Sequence, residues 1–278
     1  MYIKKIYGLM TRNSRLLNGE KTIPDVVNLE YWQDKTNLGD QLAPIIYEWM
    51  LKRKGIDSKQ KIKKTVHLMT VGSIITMGRC DAIIWGSGIL NFQSIIQIAR
   101  KKMFRAYDVR AVRGPLTREI MLSVGYKCPE IYGDPGVLMP LIYKPVLREE
   151  TRGKTVVILH FSEKDKQIPE GCVKLNIQTS DYQSFLDSLV SAEKVISSSL
   201  HGIILAESYG IPAVFVSSGI ENEMLKFYDW YYSTKRQNVR MAHSVEEALE
   251  MIPMDLPSNI EELQTNLINS FPYDLWYT

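Results

Sequence analysis

A chain of 278 residues, 45% hydrophobic and 23% charged, has the makeup of a globular protein with room for one large core or two medium ones. No apolar run approaches the roughly 20 residues that span a bilayer, and residues 1–6 lack the apolar stretch and cleavage site of a signal peptide. The net charge of +3 divides unevenly: 24 basic against 14 acidic residues over positions 1–150, net +10, and 10 against 17 beyond, net −7. The cysteines Cys80, Cys128 and Cys172 have neither the number nor the spacing of a disulfide framework or a zinc site, which is how a cytoplasmic protein uses cysteine.

In chain order, residues 26–31 read as a strand, 37–40 as a loop and 41–54 as a helix. Strand-like runs follow at 65–71, 81–85 and 109–112, with short helical segments between. Pro115 suits the first turn of a helix that closes at Gly125. After a Gly- and Pro-rich loop at 132–136 the alternation restarts, with strands at 155–161, 173–177, 194–197 and 213–216 and helices at 181–192 and 201–209. Such alternation predicts an α/β fold with parallel sheets covered by helices. A break near 140–153 suggests two Rossmann-like domains, residues 1–145 and 146–278, facing a cleft, the second ending in a helical tail. Gly86-Ser87-Gly88 lacks the third glycine of a dinucleotide fingerprint and reads as a tight turn. There is no Walker A sequence, no Asp-x-Asp pair and no nucleic-acid motif.

The segment from Ser197 to Pro212 carries the most chemistry. A strand ends in Ser197, Ser198 and Ser199, and a helix begins at once with Leu200, His201 and Gly202. Ligands of open parallel sheets bind beyond the carboxyl ends of the strands, where a helix N-terminus offers free N–H groups to an anion. His201 in that first turn is placed to exchange protons, and His160, ending a strand, is placed to line the cleft. His67 and His243 read as structural or surface residues. Arg110 and Arg113 straddle a strand end, where a guanidinium suits an anion or a salt bridge. Asn37, Gly39 and Asp40 lie on a strand-to-helix loop, and Asp134 lies in a turn.

In order, Asn37-Leu38-Gly39-Asp40, Val112-Arg113-Gly114-Pro115-Leu116-Thr117, Gly133-Asp134-Pro135-Gly136 and Ser198-Ser199-Leu200-His201-Gly202 resemble the landmarks of polysaccharide pyruvyltransferases. Lys226-Phe227-Tyr228-Asp229-Trp230-Tyr231 is similar to the exopolysaccharide ketal branch, and the likeness runs over about residues 26–235. It implies a GT-B-like fold, phosphoenolpyruvate as donor and a pyruvate ketal on a sugar as product; no motif calls for a metal or a cofactor. Carried over by position, it puts Arg113 on the donor's anionic groups and Leu200 and His201 beside the donor; His201 then reads as the general acid or base and Asp40 as a base on the acceptor side. Arg113, Ser198, Ser199, Leu200, Gly202, Arg110 and Lys226 fall to the donor, and Asn37, Gly39 and Asp134 to the acceptor. Ser199 stands where many relatives carry arginine, which makes Lys226 or Arg110 the candidate second cation.

The partner implied is a saccharide precursor of capsule or exopolysaccharide, on a lipid pyrophosphate at the inner face of the membrane. The basic first half, with Lys61, Lys63 and Lys64, suits peripheral contact with that anionic surface, and an oligomer stays open. The competing readings are a GT-B glycosyltransferase using a nucleotide sugar and a non-catalytic glycan-binding protein.

Overall fold

The computed structural model describes residues 16–33, 36–219 and 223–277; the leader reading of residues 1–6 lies outside them. Two parallel sheets make the framework. The first has strands β1 (Val27–Glu30), β2 (Val66–Met69), β3 (Ala82–Trp85) and β4 (Tyr107–Ala111) side by side in chain order. The second is formed by β5 (Thr155–Ile158), β6 (Val173–Lys174), β7 (Lys194–Ser197), β8 (Ala213–Val216) and β9 (Met241–Ala242), in the order β6-β5-β7-β8-β9.

Side-chain pattern explains the strands. β2, β3 and β8 are buried at every position, as parallel strands covered on both faces must be. β4 alternates, turning Tyr107, Val109 and Ala111 inward and Asp108 and Arg110 outward, as befits the sheet's edge.

Helices α1 (Leu38–Lys52), α2 (Ser94–Lys102) and α3 (Pro115–Ser123) accompany the first sheet, and the short α4 (Met139–Ile142) leads out of it. α5 (Tyr182–Val190), α6 (Leu200–Ser208), α7 (Met224–Ser233), α8 (Val245–Glu250) and α9 (Ile260–Ser270) follow. α1 starts three residues earlier than its pattern predicts, because the Asn37 side chain accepts the Gly39 N–H and caps it. Pro115 opens α3 as expected, and Gly125 follows its end at φ +86°. α6 is buried through Glu207 and sits inside the molecule rather than on a face.

The two halves share one core. Leu38, Leu42 and Trp85 belong to the same apolar cluster as Ile158, Leu200 and Ile204. The chain also crosses back after β8: α7 packs on α3, and Leu225 joins the apolar cluster beneath the first sheet. α9 and its aromatic tail return as well. Trp85 Nε1 donates to the Leu267 carbonyl at 2.9 Å, Phe271 meets Trp85 edge-on at 5.0 Å, and the Tyr273 hydroxyl donates to the Met50 carbonyl. The tail after residue 270, though part of the second half in sequence, is packed on the first.

Candidate active site

Strand order locates the site. In the second sheet the chain runs outward from β5 to β6 and then returns to place β7 on the other side of β5. The crevice beyond the carboxyl ends of β5 and β7 is therefore a topological switch point, the usual ligand position of an open parallel sheet. His160 and Phe161 follow β5 there, and Ser199, Leu200 and His201 follow β7. The first sheet contributes its own strand ends: Trp32, Asn37 and Asp40 after β1, Gly72 and Ser73 after β2, and Leu90 after β3. Together with Glu223 and Lys226 from the start of α7 they enclose a cleft of about 270 Å³.

Five ionisable side chains line it: Asp40, His160, His201, Glu223 and Lys226. His201 Nε2 lies 3.6 Å from Asp134 Oδ2, and both atoms are sealed from solvent without a hydrogen bond. The other Asp134 oxygen accepts the Gly136 N–H, which fixes the carboxylate. Nε2 is turned inward, and the other ring nitrogen is Nδ1. It lies against Gly39, where an added Cβ would come within 1.9 Å of it. Asp40 is next: its carboxyl is raised to about 6, chiefly by burial, with His201 opposing, Asp134 adding to the rise and Lys226 opposing. Gly72, at φ +99°, brings its backbone close to Asp40 Oδ1.

Lys226 is the one lysine or arginine lining the cleft among the described residues. Burial and the nearby Arg113 lower its pKa, while Glu223, which it contacts directly, and Asp40 raise it. His160 is held through Nδ1 by the Ser162 hydroxyl at 2.7 Å, and its Nε2 is 3.9 Å from Glu223. Burial, then the Lys226 charge, push its pKa down.

The other predicted residues are placed differently. Arg113 is fully buried and does not line the cleft. Its Nε donates to Asp229 at 3.2 Å, Nη1 to the Ser73 hydroxyl at 2.7 Å and Nη2 to the Ile89 carbonyl at 2.7 Å. Asp229 also accepts from the Thr117 N–H and hydroxyl. Arg113 thus stands one residue behind the cleft wall and reaches it through Ser73, instead of presenting its fork to a ligand.

Arg110 is elsewhere altogether. It pairs with Asp108 and Asp274 in a recess at the strand starts, because it shares the outward face of β4 with Asp108. Ser198 is occupied by Glu163, to which its hydroxyl donates, and by the His160 N–H, which it accepts. Gly202 offers no side chain and is glycine because a Cβ would meet Ser197 Oγ at 2.4 Å. Asp134, expected to meet the acceptor, is fully buried and faces His201. Gly86-Ser87-Gly88 is a turn, as read, with Gly86 at φ +82°; Gly88 adds a tight approach to Arg113.

Sequence reasoning missed Trp32, Ser73, Glu163 and Glu223. No motif marks them, and only their positions just beyond strand ends or at a helix start offered a signal.

Comparison with known proteins identifies the family. Residues 33–219, about two thirds of the chain, match the polysaccharide pyruvyl transferase family. An uncharacterized protein of Acanthamoeba polyphaga mimivirus is 27% identical over 221 residues, covering 73% of each chain. A functionally uncharacterized Klebsiella pneumoniae protein of known structure aligns over 88% of this chain and 100% of its own, at 13% identity and a TM-score of 0.49. The family match takes in Asn37, Asp40, Arg113, Asp134, His160 and His201, and the chain belongs to the polysaccharide pyruvyl transferase family, transferases that act on a polysaccharide acceptor.

Proposed function

We propose that the cleft binds phosphoenolpyruvate and transfers its pyruvyl group to two hydroxyls of a saccharide as a ketal. The observation that carries this reading is the convergence of Lys226, His201 and Asp40 at the N-terminus of α6, with Asp134 behind the histidine. Lys226 and the helix N-terminus suit the donor's phosphate and carboxylate. Glu223, now on Lys226, would give way to the anionic donor.

Chemically, a proton added to C3 of the enol makes C2 electrophilic. A sugar hydroxyl attacks C2 and loses its proton, and phosphate departs with the C2–O electron pair. The second hydroxyl then attacks C2 and loses its proton, closing the ketal. Two hydroxyl protons are released and one is taken up at C3, so the balance leaves with phosphate or to solvent. His201 Nδ1 serves as proton donor and acceptor on the donor side, its ring held by Asp134. Asp40 accepts the acceptor's proton, since a carboxyl near 6 is largely ionised at neutral pH while remaining an effective base. Arg113 braces Ser73 and adds positive potential behind Lys226.

The division into domains 1–145 and 146–278, the placement of the acceptor beside Asn37 and Gly39, and a cytoplasmic site of action are parts of the same proposal. Among the described residues no helix is long and apolar enough to cross a membrane.

The test is phosphate release from phosphoenolpyruvate by the purified chain with pyruvate-free acceptor saccharides, beside thermal melts with phosphoenolpyruvate, phosphate and UDP- or GDP-sugars. Acceptor-dependent phosphate release and a phosphoenolpyruvate shift above the phosphate control, lost in Lys226→Met, are expected. His201→Ala should lower turnover by at least ~10² with the fold retained. Stabilisation by a nucleotide sugar alone would overturn the donor assignment.

A further inference from the structure

α2 carries apolar side chains on two faces. Ile95 and Ile98 turn inward to the cluster beneath the first sheet, as a covering helix requires. On the outside, where polar residues belong, stand Phe92, Ile96, Ala99 and Met103, spaced four, three and four residues apart along one side of the helix and its flanking turns. Phe92, Ile96 and Met103 are each 61% exposed. A lone exposed apolar side chain is ordinary, but three bulky ones aligned on one helix mark a contact surface.

The charge beside this stripe selects its partner. From Ala82 to Tyr107 the chain has four basic residues, Arg100, Lys101, Lys102 and Arg105, and no acidic one. They crowd the end of α2 together with Arg79. Lys101 is brought down to about 8, first by burial and then by the charges of Arg105 and Arg79. Lys102 lies over the Tyr126 ring, its Nζ 4.0 Å from the centroid. Anions relieve such crowding. A second copy of this surface would bring like charge to it, and so would residues 1–15, which hold four basic side chains and no acidic one. An anionic lipid surface supplies an apolar layer for the stripe and opposite charge for its flank.

We infer that α2 is a docking helix that lies along an anionic lipid surface, with Phe92, Ile96 and Met103 in the interfacial layer and Arg100 and Lys102 on the headgroups. Its nine residues are far too few to span a bilayer, so the helix rests on the surface. Leu90, two residues before Phe92, lines the cleft, while Ala106 and Tyr107, just past Met103, line the recess that holds Lys63 and Lys64. Contact along α2 is therefore side-on, from the cleft edge to the basic end. Such docking is independent of the reaction proposed for the cleft.

The test is sedimentation of the full chain with vesicles of equal parts phosphatidylglycerol and phosphatidylcholine, beside vesicles of phosphatidylcholine alone. Binding to the mixed vesicles, weakening as salt rises, is expected to exceed binding to the neutral ones. The triple variant Phe92→Ser, Ile96→Gln, Met103→Gln, changed only at exposed positions, should lose at least about tenfold in partition. Arg100→Gln and Lys102→Gln should cost about fivefold for each charge removed. Ile96→Trp should add fluorescence that brominated lipid chains quench. No binding by the folded parent, or equal binding by the parent and the triple variant, overturns the docking helix. A dimeric parent and a monomeric triple variant with the same vesicle binding would overturn it in favour of a second copy.

Discussion

Asp40 carries a stability cost that its chemistry explains. Its carboxyl is lifted from 3.8 to about 6, chiefly by burial, so between those values the folded chain holds a proton that the unfolded chain has released. Stability contributed by the protonated form is present at low pH and is lost as pH rises through that window. Asp40→Asn should therefore be on the order of 1–3 kcal/mol more stable than the parent at neutral pH, and no more stable near pH 3, in urea melts. As the proposed base, Asp40 also predicts that kcat/KM rises through about pH 6. A flat profile across that range would remove it from the mechanism. Arg113 makes a second prediction at this scale. Asp229→Ala leaves a buried guanidinium without its carboxylate and should cost about 3–5 kcal/mol, much of it recovered in the double variant with Arg113→Met. An Asp229→Ala loss below about 1 kcal/mol would mean that Arg113 finds water or another partner.

Among the elements, α1 and α6 meet head to head at the cleft, and Gly39 is the point of contact. Gly39→Ala should push its methyl into the His201 ring, because the ideal Cβ position is 1.9 Å from Nδ1. Turnover should drop with that displacement, whereas Asn37→Ala, which removes only the cap, should cost about 1 kcal/mol of stability. Comparing the two in activity and melting separates ring placement from helix stability. The elements themselves were largely legible in the sequence, since fully apolar runs such as β3 and β8 declare a doubly covered parallel sheet. The burial of Arg113 was not, since Asp229 lies 116 residues away and nothing local to Arg113 announces the pairing. Asp134 read as a turn residue for a related reason: its one capping oxygen is a local feature, while the oxygen beside His201 depends on where α6 settles. Glu223 and Glu163 belong to no motif, and only the folded cleft assembles them.

Across the whole molecule, charge and site fall at opposite ends. Lys52, Arg53 and Lys54 close α1 about 22 Å from its start at the cleft, by the rise of its 15 residues. Lys63 and Lys64 line the recess at the starts of β2, β3 and β4, again at the far end. A membrane bound through this basic face would leave the cleft open on the side away from the lipid. Reversing the charge of Lys61, Lys63 and Lys64 should weaken binding to anionic vesicles and leave turnover of a free saccharide within about twofold. Unchanged vesicle binding would dismiss the basic face as a docking surface, and a large loss of turnover would couple it to the cleft.

The return of α9 and residues 271–276 to the first sheet also sets an order of events during synthesis. Trp85 waits for Leu267 and Phe271, and Met50 waits for Tyr273, partners 182 to 223 residues later in the chain. At ribosomal speeds of about 5–20 residues per second, the first sheet emerges some tens of seconds before those partners. Until then the face of Trp85 is exposed apolar surface, the kind that chaperones hold. The nascent chain should therefore be most exposed to aggregation after the first sheet has formed, and should become native-like only when α9 has left the ribosome.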